Sequence, residues 1–338
     1  MPDVSDKVIN PVSRQPGNPS VPGSSLSFRH SSFPLTRETI LLALTVLAAA
    51  TASFAFPRSF PTWPNLTALL RNMALDGVMA CGMMVLMVGG LFDLSIGSMF
   101  SMAGVLTAWM LGVLPGGVAV AAGLGIAALG GALNGWIVAK VKVNALIATL
   151  GTMQIFRGVA VLVGGPGISS LSAGFGRIGQ TEWLGLQSPI WLLVGVSIAG
   201  QFLLAKTRFF RRYYYIGANP KAALLSGIRV EQMQVFAFVL MGLLAGLAGI
   251  VFAARVGTAT STAGDGAELR IITAVILGGA SLSGGRGTIW GALAGVLFIA
   301  LINNIMIFAR LSPEWQSIVI GCVLVLAVGL DRLWAPKR

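Results

Sequence analysis

Charge is what this chain has least of. Asp, Glu, Lys and Arg make up 10% of its 338 residues, against roughly 25% in a soluble domain. Acidic residues are scarcer still, 11 against 23 basic ones, for a net charge of +12. There is one histidine, His30, and only two cysteines, Cys81 and Cys322. Both cysteines lie within apolar runs, where they read as small core residues, so neither a disulfide framework nor a Cys/His metal site is indicated. No nucleophile, base and acid are arranged as a hydrolytic set needs. The Gly279-to-Thr288 segment resembles a phosphate loop, but Gly285 stands where G-x-x-x-x-G-K-[ST] needs lysine. The chain therefore carries no energy source of its own.

What fills the chain instead is apolar sequence, 55% of the residues, with a mean hydropathy of +0.84. Runs of about 17 to 25 apolar residues recur, the length that crosses a bilayer as helix. Backbone amides in lipid must pair internally and barrel-type alternation is absent, so the class is an all-α polytopic membrane protein. Ten spans are predicted: 39–56, 70–90, 95–114, 117–139, 145–164, 189–205, 234–255, 269–282, 288–309 and 315–333. The run 269–282 is short enough to be a partly inserted helix. Span interiors are almost free of Asp, Glu, Lys and His, Arg157 being the main exception, so nothing there suits a proton or sodium cycle.

Residues 1–37 are rich in Ser and Pro, lack apolar periodicity, and read as a disordered cytoplasmic tail ahead of a transmembrane domain over 38–338. Ala50-Thr51-Ala52 imitates a signal-peptidase site, but the polar stretch before it is far longer than a signal n-region, which favours a retained first span. With both termini inside, the cytoplasmic breaks and tails hold 16 basic residues against 7 elsewhere. The reversed topology violates the positive-inside bias, so N-in/C-in is expected. The same distribution argues against nucleic acid as the reason for the positive charge. Glycine pairs at small-xxx-small spacing, Gly131/Gly135, Gly242/Gly246 and Gly291/Gly295, fit close helix packing, with a dimer seam or pore wall as alternatives.

The main polar break runs through 206–233 and carries six basic residues: Lys206, Arg208, Arg211, Arg212, Lys221 and Arg229. Within it Asn219-Pro220 breaks the chain, Pro220 suits a first helical turn, and Gly227 ends a short helix over 220–226. So short a helix is marginal alone, and docking in a partner's groove is a natural reason for it; a solvated topological loop is the plainer alternative.

Four stretches occur in order: Gly89-Gly-Leu-Phe-Asp-Leu-Ser-Ile-Gly-Ser98; Val143-Asn-Ala-Leu-Ile-Ala-Thr-Leu-Gly-Thr152 with Phe156-Arg-Gly158; Gly217-Ala-Asn-Pro-Lys-Ala-Ala-Leu-Leu-Ser-Gly-Ile228; and Thr262-Ala-Gly-Asp-Gly-Ala-Glu-Leu269 running to Gly287. Together they resemble the permease subunits of bacterial ABC sugar importers of the ribose, xylose and galactose type. There the matching stretches read GGIDLSVGS, FIATLG…RG, GGNPEAARLSGI and TAG-G-ELDAIAAVVLGG.

The resemblance covers roughly 65–333 and implies a type II ABC importer-like permease in the bacterial inner membrane. It implies no cofactor bound directly, with ATP held by a cytoplasmic ABC ATPase. It further implies a periplasmic substrate-binding protein and a second permease copy, identical or related. ATPase coupling then falls to Gly217, Asn219, Pro220, Lys221, Ala222, Leu225, Ser226 and Gly227. The polar residues Asn144, Thr149, Thr152, Asn303 and Asn304 are candidates for the solute path. Asp93 is expected to cap the helix after it, and Asp265, Glu268 and Arg270 to form a cap or outer gate. Two positions depart from the pattern. An extra residue precedes Asp93, and Arg270 stands where the family has Asp, with Asp265 and Glu268 as its expected partners. A stand-alone facilitator, or a permease for an autoinducer, nucleoside or branched-chain amino acid, remains the alternative.

Overall fold

The computed structural model describes residues 37–334. The tail predicted over 1–37 lies almost wholly outside them, as do His30 and the last four residues.

The elements, in chain order, are α1 (Arg37–Ala55), α2 (Trp63–Val88), α3 (Ile96–Met110), α4 (Gly116–Ala139), α5 (Ala145–Gly164) and α6 (Ala173–Gln180). A two-stranded hairpin follows, β1 (Glu182–Trp183) and β2 (Leu186–Gln187). Then come α7 (Ser188–Lys206), α8 (Arg208–Ala218), α9 (Pro220–Leu225), α10 (Val230–Val256), α11 (Ala267–Leu277), α12 (Ile289–Phe308) and α13 (Pro313–Trp334). The hairpin turns on Leu184 and Gly185, both with positive φ (51° and 75°), as a two-residue primed turn requires.

Among the described residues, seven helices are long and apolar enough to cross a membrane: α1, α2, α4, α5, α7, α10 and α12. The other three predicted spans fall on α3, α11 and α13. α3 has 15 residues, and α13 has 22, from Pro313 to Trp334. α11 has 11 residues, about 16 Å at 1.5 Å per residue, half the roughly 30 Å of hydrocarbon. It stops at Leu277 because Gly278, Gly279 and the glycine-rich stretch to Gly287 follow. α2 also begins seven residues before its predicted start, where Thr62 caps it and Pro64 occupies its first turn. The sequence reading missed α6, the hairpin and α8.

Burial sorts the helices into layers. In α2, 78% of the most apolar window is buried inside the molecule, and in α10 56%, against 17% for α1 and 28% for each of α4, α5 and α7. α2 is therefore the central post, and its Met79, Met83, Met84 and Met87 fill the space between neighbours. α4 runs antiparallel to α10 along a seam of small residues. A side chain at Gly131 or Gly135 would strike the α10 backbone at Phe238 or Val235, and one at Gly242 the carbonyl of Ala127. Gly291 and Gly295 of α12 meet Gly278 and Ala274 in the same way. All three glycine pairs thus serve packing within one chain. Cys81 is buried as expected, but Cys322 on α13 is exposed.

Candidate functional site

The polar break folds into two helices, built for different tasks. Thr207 caps α8 by accepting from Phe210 N (3.3 Å). Phe210, Tyr213, Ile216 and Gly217 then form its buried face, while Arg208, Arg211 and Arg212 stay exposed. Two tyrosines anchor that face. Tyr213 donates to the Met233 carbonyl at 2.7 Å and Tyr214 to the Gly287 carbonyl at 2.8 Å. Burial pushes both phenols above their ordinary pKa, so they remain neutral donors. At Gly217 a side chain would collide with the Val88 carbonyl and with Gly285 N. Gly285 N itself donates to Val88 O at 2.8 Å, and Gly284 brings its backbone against Gly90 and Gly217. The end of α2, the end of α8 and the loop before α12 therefore meet backbone to backbone. Gly217 belongs to this joint and not to an outward surface.

α9 stands on that joint. Asn219 is its N-cap, accepting from Ala222 N at 3.1 Å, and Pro220 starts the helix. At the other end Gly227 (φ 79°) adopts the left-handed conformation. Ile228 N donates back to Ala223 O at 3.1 Å and Gly227 N to Leu224 O at 3.0 Å, which together make a Schellman closure. Only Ala223 is buried; Lys221, Ala222, Leu224, Leu225 and Ser226 face outward, Leu225 at 90% exposure. A six-residue helix capped at both ends thus presents bare leucines. Beside it lies an open groove bordered by Lys140, Lys142, Pro220, Leu224 and Arg229. Lys140 and Lys142 both hold Glu231 there, at 2.8 and 2.6 Å.

The path candidates separate into three groups. Asn144 is an exposed N-cap of α5, accepting from Leu146 N at 2.9 Å. Thr149 and Thr152 are buried and occupied: Thr149 donates to Ala145 O and accepts from Leu94 N, and Thr152 donates to Thr149 O. Asn303 and Asn304 alone line a cavity, of about 220 Å³, enclosed by α2, α10, α11 and α12. Asn304 exchanges amide hydrogen bonds with Asn65, at 2.9 and 3.2 Å. The Oδ1 of Asn303 is buried without a partner. Asp76 of α2 sits 12 residues before Val88, so the chamber wall lies about 18 Å along that helix from the Gly217 joint.

Asp93 is fully buried and holds a network of its own. Its Oδ1 accepts from Ser95 N and Ser95 Oγ, both at 2.7 Å, and its Oδ2 from Asn134 Nδ2 at 3.2 Å. The expected helix cap is corrected. Ser95 holds the N-cap position of α3, and Asp93 turns the chain ahead of it by bonding to the Ser95 amide.

The expected partners of Arg270 are also corrected. Arg270 pairs with neither Asp265 nor Glu268; it grips Asp76 of α2 bidentately, Nε to Oδ2 at 2.7 Å and Nη2 to Oδ1 at 3.0 Å. Asp265 pairs instead with Arg157 of α5, and Glu268 leaves its Oε2 buried without a hydrogen bond, against Gly97. The reason is the path of 257–266, which dips back into the bundle. Gly264 rests on Gly97, and its N–H is bonded to Ser101 Oγ at 2.8 Å. That descent starts α11 deep enough for Arg270 to reach α2. Asp76, Asn72 and Arg255 are the chamber residues that sequence reasoning missed. An acidic residue within a predicted span was the available signal.

The family described as branched-chain amino acid transport system / permease component matches residues 65–328. The chain belongs to this permease family. The permease is 39% identical over 295 residues to the L-arabinose transport system permease protein AraH of Escherichia coli (strain K12), covering 87% of this chain and 89% of that one. It is 42% identical over 273 residues to the ribose import permease protein RbsC of Bacillus subtilis (strain 168), covering 79% and 84%. The autoinducer 2 import system permease protein LsrC of Salmonella paratyphi B is 35% identical over 295 residues, covering 85% of each chain. No solved structure matches the permease. Membership in the family, with seven membrane-capable helices among the described residues, makes it a multi-pass membrane protein.

Proposed function

We propose that this permease is the pore-forming subunit of an ATP-driven ABC importer in a bacterial inner membrane, acting on a sugar handed over by a periplasmic binding protein. It works as one of two permease copies, with both termini cytoplasmic. A separate ABC ATPase hydrolyses the ATP and docks on α9.

The observation that carries this reading is the form of α9 and its footing. A helix of six residues gains little stability from its own hydrogen bonds. Here it is capped at both ends yet exposes Leu224 and Leu225. Two bare leucines on a rigid turn suit insertion into a groove on a partner. Its root is the glycine joint to α2 and the 284–287 loop, so a push on α9 reaches the central post and the start of α12 directly. A stand-alone facilitator has no use for such a lever.

Replacing Gly217–Ile228 with a Gly/Ser linker tests the assignment. The expected result is membrane insertion without ATPase co-purification. An ATPase retained by the linker variant contradicts α9 as the coupling element. Recovery of no ATPase by the unaltered protein in mild detergent favours the facilitator.

A further inference from the structure

Two guanidiniums, Arg255 and Arg270, and one carboxylate, Asp76, line the chamber that Asn303 and Asn304 share. Its carboxylate, Asp76, is held through both oxygens by Arg270. Arg255, on the same wall, has no carboxylate at ion-pair distance among the described residues. Its Nη1 donates to the backbone carbonyl of Arg71 at 3.3 Å, and its guanidinium lies 5.5 Å from the centre of the Phe252 ring. Arg71 acts on Arg255 as a second positive charge and Asp76 as a more distant negative one, while Glu268, against Gly97 of α3, acts on Arg270. The rest of the lining is mixed: Phe100 and Phe252 supply apolar ring surface, and the amides of Asn72 and Asn303 supply hydrogen-bonding groups.

We infer that this chamber binds a small polyhydroxylated anion, a sugar acid of monosaccharide size, with its carboxylate on Arg255 and its hydroxyls on Asn303 and Asn72. The inference rests on the importer reading, since it takes the chamber as a station on that subunit's solute path. Three physical points support the class. At about 220 Å³ the space is below the roughly 300–1,000 Å³ of drug-sized sites, which suits a small solute. Guanidinium matches carboxylate in a planar, two-point bond stronger than a neutral hydrogen bond. A neutral sugar filling the same space would strip water from Arg255 without returning a counter-charge, which is costly. The acceptor on Asn303 then distinguishes a hydroxylated acid from a plain carboxylate.

The test is titration calorimetry on the full-length permease alone, in lipid nanodiscs, at fixed ionic strength. The probes are sodium D-gluconate, sodium D-galacturonate, D-galactose and sodium acetate. At least one sugar acid is expected to bind saturably and at least about tenfold more tightly than D-galactose or acetate. Arg255→Gln is expected to weaken it about tenfold or more, and Arg255→Lys to restore only part of that loss, since an ammonium keeps the charge but not the two-point bond. Asn303→Ala is expected to bring the sugar acid close to acetate, which decides the matter if Arg255→Gln fails to fold. Equal or tighter binding of D-galactose, equal binding of acetate, sugar-acid binding indifferent to Arg255→Gln, or no sugar-acid binding overturns the inference. None of these outcomes involves the ATPase. If the sugar acid fails to bind while the ATPase still co-purifies, the ligand class falls and the importer stands.

Discussion

At the scale of single residues, the pair between Arg270 and Asp76 explains the departure at position 270. The side chains are 28% and 20% exposed, so neither can rely on water if the other is removed. Arg270→Asp sets two carboxylates face to face, and Asp76→Ala leaves a half-buried guanidinium. Each is predicted to cost about 3 kcal/mol, the usual order for breaking a buried pair, seen as a lowered detergent-solubilised melting temperature. The exchanged double variant Asp76→Arg/Arg270→Asp is expected to recover most of that loss; if it is no better than the singles, the pair is incidental. By contrast Arg157 and Asp265 are 35% and 47% exposed, and Asp265→Asn is predicted to change stability by less than about 1 kcal/mol. The sequence made Arg270 conspicuous but not its partner, because a residue 194 positions away has no local signature. Asp93 read as a helix cap from its place before α3, whereas its turn through Ser95 and its fully buried contact with Asn134 depend on how α3 and α4 cross.

At the scale of elements, α9 was the most legible part of the site. Asn219, Pro220 and Gly227 are cap and stop residues whose preferences act locally, and the helix sits one residue from its predicted end. Asn219→Ala removes the cap to Ala222 N and is predicted to destabilise α9 by about 1 kcal/mol. The global melting temperature should hardly move, while ATPase-coupled uptake falls. Gly217→Leu should do the opposite, lowering the melting temperature because the joint to Val88 and Gly285 has no room. The glycine seam between α4 and α10 gives a further check. Gly131→Leu forces the helices apart and is predicted to cost about 1–3 kcal/mol or more; an unchanged melting temperature would mean that the seam opens freely. α11 was legible only as apolar sequence. Its length is set by the descent of 257–266 and by Gly278, which lies against Gly291, and neither can be read from hydropathy.

At the scale of the whole molecule, the class followed from composition, because a chain with so little charge and so many long apolar runs has few other places to fold. The extents of the shorter helices did not follow: hydropathy marks α3 and α11 as apolar without giving their lengths of 15 and 11 residues. The layered burial gives the working parts their relation. α2 runs from the chamber at Asp76 to the joint at Val88, so on the proposed reading one deeply buried helix connects the solute side to the coupling side. The measurement that tests this most directly is cross-linking from position 225 to an ATPase during turnover. Leu225→Cys would be placed in a Cys322→Ser background, the exposed native thiol being removed and Cys81 left buried. We predict a cross-link to the ATPase from position 225 that changes in yield when ATP is added, and none from a cysteine at Arg58 near the far end of α1. An intact complex that cross-links equally from both positions, or from neither, would contradict α9 as the point where the motor meets the permease.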